Sequence, residues 1–546
     1  MPATKPLETQ KLHRIVFATS TGTVFEAYDF ILFGSLAPII SAKFFAGFNE
    51  TASFVIALLI FASGYLVRPI GALFFGSLGD RKGRKKAFLI TITMMGLATF
   101  CIGLLPTYAT AGFWSPVMLI VLRLIQGLAF GGEYGGAVIY TAEHAPPGKR
   151  GLYVGFIQAS AGFAVFLSFF MIYLTRTAIG EEAFNDWGWR VPFIISIGLL
   201  GISLWVRLSL EETPLFQKLL DEGKASKRPL HEAFGEWPNL KLVMLVLLGL
   251  LMLQGVVFYT AHFYSQFFIT QILKLPPARM TLIMMIVTLC SVPLYVLFSW
   301  LSDRWGRKRM AQLGAALMLA LLLPIFQGFT DVVNPAYAAA QKSAPVIVTA
   351  DPLDCSLQFD PVGRSRFSSS CDIAKSALAT MGISYQNAEG SPGTRTLVTV
   401  GEKTLPSIDG AGLSTVALTA ARNEFRGQLA AELRVAGYPL RVEPDAVNML
   451  ALGALMMLLI LLATLVYALT PIMALELFPT HIRYSALSLP YHIGSGWFGG
   501  FLPAIAFAMV AANGSIYFGL WYPLIIITIS LLVMSFLLPE TRNNEL

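Results

Sequence analysis

One short polar cassette occurs twice in this chain. Residues 76–86 read GSLGDRKGRKK, and residues 299–309, placed 223 positions later, read SWLSDRWGRKR. Gly76 opens the first copy; Asp80 then aligns with Asp303, Arg81 with Arg304, Gly83 with Gly306 and Arg84 with Arg307. Apolar runs of bilayer length flank each copy, and the run at 54–75 carries one charge, Arg68. A cluster of Arg and Lys between two such runs cannot sit in hydrocarbon, so each cassette marks a tight turn at a membrane face. Two copies at equivalent turns predict two repeated halves, each with several spanning helices. Gly83 and Gly306 suit a close-packed turn, and the Asp of each copy can cap a helix or pair with its basic neighbours.

Composition agrees with that reading. The chain is 55% hydrophobic and 13% charged, with mean hydropathy +0.65, far more apolar than a soluble domain of this size. Its basic balance does not point to nucleic acid, because the charges are sorted by turn. With the even-numbered turns and both termini on one side, that side carries 22 Lys and Arg against five in the opposite short loops. This bias predicts both termini in the cytoplasm. Twelve spans are expected, near 15–40, 51–78, 87–105, 115–142, 152–175, 190–210, 241–270, 278–301, 310–330, 447–472, 484–510 and 517–538. The fold class is therefore an all-α polytopic membrane protein: a first six-helix bundle at 15–210 and a second at 241–330 plus 447–538. Residues 1–14 form a polar terminus without a cleavable signal pattern, 211–240 an amphipathic linker, and 539–546 a tail.

Residues 331–446 depart from the pattern. They mix polar residues, Pro and Gly with strand-like runs such as 396–400 and a helix-like run at 420–435. By parity they lie outside, between the ninth and tenth spans, and they are numerous enough for a small folded domain. Cys355 and Cys371 are the only cysteines there, and on the oxidising side of a membrane they are expected to form a disulfide. A passive insertion and an accessory role both remain open.

Charges deep in spans carry the chemistry. Glu26, Asp29 and Glu133 are such acids, and Arg68 and Arg123 such bases. An ionised group in hydrocarbon costs several kcal/mol, so each must be paired, hydrated or protonated. Glu26 and Asp29 lie three apart, hence on one helix face, and suit a proton carrier. Arg123 and Glu133, ten residues apart, are about 15 Å apart along one helix and cannot pair directly, leaving Arg123 to Glu26, Asp29, solvent or substrate. Tyr28, Gln158, Tyr259, His262 and Tyr491 are polar side chains able to orient a small substrate, with Arg68 and Arg123 as anion contacts. Tyr259 and His262 are expected on one face. A structural role in helix pairing is the competing reading for each charge. No nucleophile–base or metal-ligand spacing stands out, and no phosphate-cradling Gly-Lys loop is present, so neither an enzyme, a metal site nor an ATP motor is expected.

These words resemble a known family. The cassette G-x-x-x-D-R-x-G-R-K with its echo is similar to the signature of the major facilitator superfamily. RLIQG at 123–127 resembles the superfamily's fourth-helix motif, while GTVFEAYDFILFG at 22–34, GGEYGG at 131–136 and DWGWRVPF at 186–193 resemble its metabolite:H+ symporter branch, whose members carry shikimate, 2-oxoglutarate, citrate or proline and betaine. Ala27 departs from the Trp of many relatives. The resemblance covers both halves and leaves out 331–446. It implies twelve helices in two bundles, a part for Arg123 in proton coupling or anion binding, and gating of the cytoplasmic face by Asp80 and its basic neighbours. The deep acids themselves make protonation of Glu26, Asp29 or Glu133 the expected coupling step.

The reading that follows is a bacterial inner-membrane symporter, working as a monomer on the proton gradient without a cofactor. It imports a small organic acid by alternating access, with a zwitterion such as proline or betaine as the alternative substrate. A membrane sensor that uses the external domain is the alternative from a different class.

Overall fold

The computed structural model describes residues 9–45, 50–82, 84–131, 134–208, 229–356, 368–439, 442–443, 445–479 and 482–544. Apolar composition writes most of it as long helices. In the first half these are α1 (Thr9–Ser35), α2 (Ala37–Phe44), α3 (Glu50–Leu66), α4 (Arg68–Lys82), α5 (Arg84–Leu104), α6 (Trp114–Gly131), α7 (Tyr134–His144), α8 (Arg150–Ile179) and α9 (Val191–Leu208). The second half opens with α10, a continuous helical span Trp237–Ile272 interrupted by π turns, followed by α11 (Pro277–Trp305) and α12 (Arg307–Val333). After an intervening domain it resumes with α16 (Met449–Tyr467), α17 (Thr470–Leu477), α18 (Arg483–Tyr491), a π turn at His492–Gly499, α19 (Leu502–Asn513) and α20 (Trp521–Leu537).

Among the described residues ten helices are long and apolar enough to cross a bilayer, and an eleventh if α1 and α2, bent by 59°, count as one span. Leu89–Leu104 is a shorter apolar stretch. The expected first span at 15–40 is thus bent near Leu36, with Pro38 in the first turn of α2. Pro69 similarly follows the break at Val67 between α3 and α4.

Glycine sets how closely the first-half helices cross. A Cβ on Gly127 would fall on the Gly64 carbonyl, and one on Gly131 on the Arg68 carbonyl, so α6 lies directly against α3 and α4. The second half repeats the device: Gly255 abuts Ser495, and Gly499 abuts Gly255. Between halves, α8 packs along α11, α3 against α19 and the 492–499 turn, and α4 and α7 against α18.

The segment between α12 and α16 is not helical throughout, which corrects an all-α description of the chain. It holds α13 (Pro335–Ser343), β1 (Val346–Ala350), α14 (Ser370–Met381), β2 (Gln386–Glu389), β3 (Leu397–Val400), β4 (Lys403–Pro406) and α15 (Thr415–Val435). One sheet in the order β2-β1-β3-β4 has β1 parallel to β2 and antiparallel to β3. Val346, Val348, Ile373, Leu378, Val398, Phe425 and Leu429 are buried in its own core. Cys355 and Cys371 form a disulfide with Cα atoms 5.1 Å apart. Asp351 accepts N–H bonds from Leu353 at 2.9 Å and Gly393 at 2.8 Å. Those bonds hold its carboxyl below the usual range.

Candidate functional site

Two buried arginines meet at the seam between the halves. Arg68, the first residue of α4, lies with its Cζ 4.0 Å from the Tyr65 ring centroid and 3.8 Å from that of Phe130. It also hydrogen-bonds Tyr65 and lies within electrostatic reach of Tyr467 and Tyr491 of the second half. Aromatic faces stabilise a cation by about 2 kcal/mol when it is desolvated. Arg123 is fully buried one helix away, over Phe33 at 4.2 Å, and both arginines act on Tyr65.

Tyr65 joins the halves. Its hydroxyl meets that of Tyr259, with rings 5.5 Å apart and nearly perpendicular. Trp497 donates its indole N–H to the Tyr65 carbonyl at 3.2 Å. Gly496 and Gly500 leave the surface against which the Tyr65 ring lies. His492 sits 3.0 Å from the Gly131 carbonyl; a carbonyl only accepts, so Nε2 carries the proton. Helices α3, α4, α6 and α10 and the 492–499 turn therefore converge on one polar cluster that draws on both halves.

A hydrogen-bonded line runs from this cluster towards Asp29. Arg123 Nη1 donates to Gln126 Oε1 at 2.7 Å, and Gln126 Nε2 donates to Thr99 Oγ1 at 2.6 Å. The hydroxyl of Thr99 donates to the Met95 carbonyl at 3.0 Å, and the buried Asp29 carboxyl lies within electrostatic reach of it. The sequence had left Arg123 to Glu26, Asp29, solvent or substrate, and two uncharged side chains supply the connection. Gln126 stands inside the RLIQG word, whereas nothing local singles out Thr99.

Other expected residues leave the cluster. The Tyr28 hydroxyl donates to the Pro192 carbonyl at 3.0 Å, tying α1 to α9 away from the seam. Tyr259 and His262 diverge: Tyr259 stacks on Phe263, whereas His262 stacks on Phe258 at 4.3 Å and bonds its carbonyl at 3.0 Å. The wider π turn at Thr260–Tyr264 separates two positions that an α-helix would align. Gln158 is buried in α8, and Tyr491 lies edge-on to His492 at 5.3 Å. Glu133 and Gly83 lie outside the described residues. The side chains of Glu26, Gly76, Asp80, Arg81 and Arg84, on α1, α4 and α5, lie outside them too. Among the described residues no His, Cys, Asp or Glu group is arranged to hold a metal.

The second cassette builds a separate network at the end that carries the basic turns. Asp303 accepts the backbone N–H groups of Gly151 at 2.9 Å and Leu152 at 3.0 Å, at the start of α8. Arg307 grips Glu476 through Nε at 2.5 Å and Nη2 at 2.7 Å, and reaches Asp303 at 3.1 Å. Gly306, at φ +102°, starts α12, whose first N–H groups on Arg307 and Lys308 are accepted by Glu540. Thr541 adds a bond to Glu476 at 2.8 Å, and Arg150 reaches the Asn544 carbonyl at 2.6 Å. Arg483 pairs with Glu143 across the halves at 2.9 Å. Burial pushes the Arg483 guanidinium down, and Glu143 opposes that shift. Arg304 instead lies exposed over Trp300 at 4.1 Å. Buried Glu476 stands at the very end of the span Met449–Leu477, not deep within it, and is not among the residues expected from the sequence. Its only signal was an acid at the end of an apolar run.

Paired helical halves around a buried polar seam, with a charged lock at one end, are the architecture of the major facilitator fold. The crystal structure of a D-xylose-proton symporter matches 98% of this chain and 99% of its own, with TM-score 0.59 at 17% identity. The chain belongs to the family described as sugar (and other) transporter, matched over residues 15–232 and 217–350. It is 34% identical over 325 residues to the proline/betaine transporter of Salmonella typhimurium, covering 58% of this chain and 64% of that one. It is 35% identical to the shikimate transporter of Escherichia coli, covering 59% of this chain and 73% of that one. The match thus spans less than two thirds of the proline/betaine transporter's length.

Proposed function

We propose that this chain is a proton-coupled symporter that imports a small organic acid across a bacterial inner membrane by rocking two six-helix bundles about the Arg68–Tyr65–Tyr259 seam. Both termini then face the cytoplasm, the 331–446 insert faces outward, and a monomer suffices. The basic bias of the turns supports that orientation.

The observation that carries the reading is the hydrogen-bonded line Thr99–Gln126–Arg123, which has Asp29 within electrostatic reach of Thr99 at one end and the seam at the other. A hydroxyl has one proton to donate. Thr99 lies 3.0 Å from the Met95 carbonyl, to which it donates when Asp29 is protonated and can itself act as donor. When Asp29 ionises, the Thr99 proton turns to the carboxylate. Gln126 feels that change and relays it to the Arg123 guanidinium, which with Arg68 forms the anion contact at the seam. Protonation and substrate binding are then linked through four side chains without a direct ion pair. Glu26 shares the helix with Asp29 and Glu133 belongs to the same proposed proton set. The Asp303, Arg307 and Arg483 contacts hold the cytoplasmic end shut while the site loads from outside.

A zwitterion such as proline or betaine is the second reading for the substrate. It is favoured by the similarity to a proline/betaine transporter and by a carboxyl and two guanidinium groups within one linked site. Uptake into proteoliposomes, with labelled organic acids and zwitterions and an imposed inward proton gradient, separates the two. Accumulation that depends on the gradient and is lost in Asp29→Asn and Arg123→Ala supports symport. Equilibration indifferent to the gradient would replace it with facilitated diffusion.

A further inference from the structure

The domain between α12 and α16 is fastened to the second half at several points. Asn334 follows α12 directly and accepts the Tyr337 N–H at 3.0 Å, so no flexible linker separates α12 from α13. Tyr337 then receives the Ser384 N–H at 2.8 Å, which fixes β2 relative to α13. From there polar contacts reach the loop after α19. Tyr385 N–H donates to the Gly514 carbonyl at 3.0 Å, and Asn387 Nδ2 to the Asn513 carbonyl at 2.6 Å. Gly514, at φ +94°, is the close-approach position: a side chain there would run into the Tyr385 ring. Gly382 abuts the Ile272 carbonyl at the end of α10 in the same way. At the exit, Arg279 of α11 pairs with Asp445 at 2.7 Å.

Contact with the first half is of another kind. Helix α14 packs against both α3 of the first half and α19 of the second, and α3 and α19 pack on each other. Every residue of α14 is buried or half-buried, including Lys375, Ser376 and Thr380, so one helix is enclosed between its own sheet and the membrane helices. The anchors to the second half described above are hydrogen bonds and an ion pair to backbone and loop. The α14–α3 contact crosses the seam that must part when this end of the transporter opens.

We propose that this domain is a latch on the insert-side opening: it rides with the second half and lays α14 across the seam onto α3, so that opening requires α14 to leave α3. The inference rests on the rocking reading above. Its consequence is that the domain adds contact area to the state closed on this side and lowers the occupancy of the state open there.

The test uses the full chain in liposomes, with Cys101 and Cys290 changed to Ser and the Cys355–Cys371 disulfide intact. Spin labels at pairs drawn from Ala109 (first half), Asp331 (second half) and Glu389 (insert), all exposed, report distances at pH 5 and pH 8. The 109–331 and 109–389 distances are expected to lengthen together, with 331–389 unchanged. Gly514→Val is expected to broaden 331–389 and to raise the long 109–331 population at least threefold. The latch is overturned if 109–389 stays fixed while 109–331 lengthens, or if 331–389 broadens in the unaltered domain. It is equally overturned if Gly514→Val leaves the insert seated, or frees it without changing 109–331. A 109–331 distance that never changes, with 331–389 narrow, would instead refute the rocking reading itself.

Discussion

Asp303 of the second half holds the start of a first-half helix, its carboxylate accepting the N–H groups of Gly151 at 2.9 Å and Leu152 at 3.0 Å. It acts as an N-terminal cap supplied from another bundle, and its charge complements the helix dipole. A cap contributes about 0.5–2 kcal/mol, and here that energy also joins the halves. In Asp303→Ala, spin labels at the exposed positions Lys149 and Trp305 should show a longer mean distance than in the unaltered chain, with Asp303→Asn between the two. Identical distributions in all three would remove Asp303 from the lock.

Glu476 accepts two N–H groups of the buried Arg307. Breaking one side of a buried pair costs about 3–5 kcal/mol, because the remaining charge stays in a dry site. Glu476→Gln should therefore lower the thermal unfolding midpoint by several degrees, whereas Arg304→Gln, at an exposed residue, should leave it unchanged. Scanning unfolding of the purified protein checks both.

The Thr99 and Gln126 bridge makes a separate demand. Thr99→Val keeps the shape and deletes the hydroxyl, which disconnects Asp29 from Gln126. Gradient-driven accumulation should fall about tenfold, the equivalent of about 1.4 kcal/mol, while substrate exchange at equal pH on both sides persists. Equal loss of both activities would mean that Thr99 serves only packing.

Tyr65 and Tyr259 touch hydroxyl to hydroxyl, so their substitutions should not add. A hydrogen bond contributes about 0.5–1.5 kcal/mol net, and Tyr65→Phe or Tyr259→Phe should each change the apparent KM about three- to tenfold. The double variant should resemble either single one, since the pair is lost once. Full additivity would show that the two hydroxyls act independently.

In the insert, backbone N–H groups hold the Asp351 carboxyl below its usual range. Its folded value lies under the unfolded value near about 3.9. Its contribution is therefore complete above about pH 4 and fades as pH falls through the lower folded value. The unfolding midpoint of the full chain should exceed that of Asp351→Asn near neutral pH, and the gap should close on acidification. A gap independent of pH would show that charge at Asp351 is immaterial.

How far the sequence reached depends on whether each determinant is local. Apolar runs, their interruption by Arg and Lys, and the repeated Asp-Arg-x-Gly-Arg word are properties of adjacent residues, so the helices, the basic turns and the membership in a transporter family were legible before any contact was known. The Cys355–Cys371 pairing was legible too, because only two cysteines share that segment. The candidates at the seam were legible by type, since Asp29, Arg68 and Arg123 are charges in apolar surroundings. Their connections were not. Thr99 looks like any helical threonine until α5 crosses α6 and brings it to Gln126. Tyr65 looks like any aromatic until a glycine face at 496 and 500 admits its ring and Tyr259 arrives from 194 positions away. Tyr28 and His262 read as site residues by type, but the Pro192 carbonyl that Tyr28 meets and the π turn that carries His262 are set by the fold. Seating of the insert on Gly514 also depends on a left-handed backbone that no neighbouring residue announces. Hydropathy and charge act through the solvent, one residue at a time, and so by itself the sequence determined which segments are helices and which residues must be paired. Pairing itself depends on which helix faces meet, and only the tertiary structure decided that.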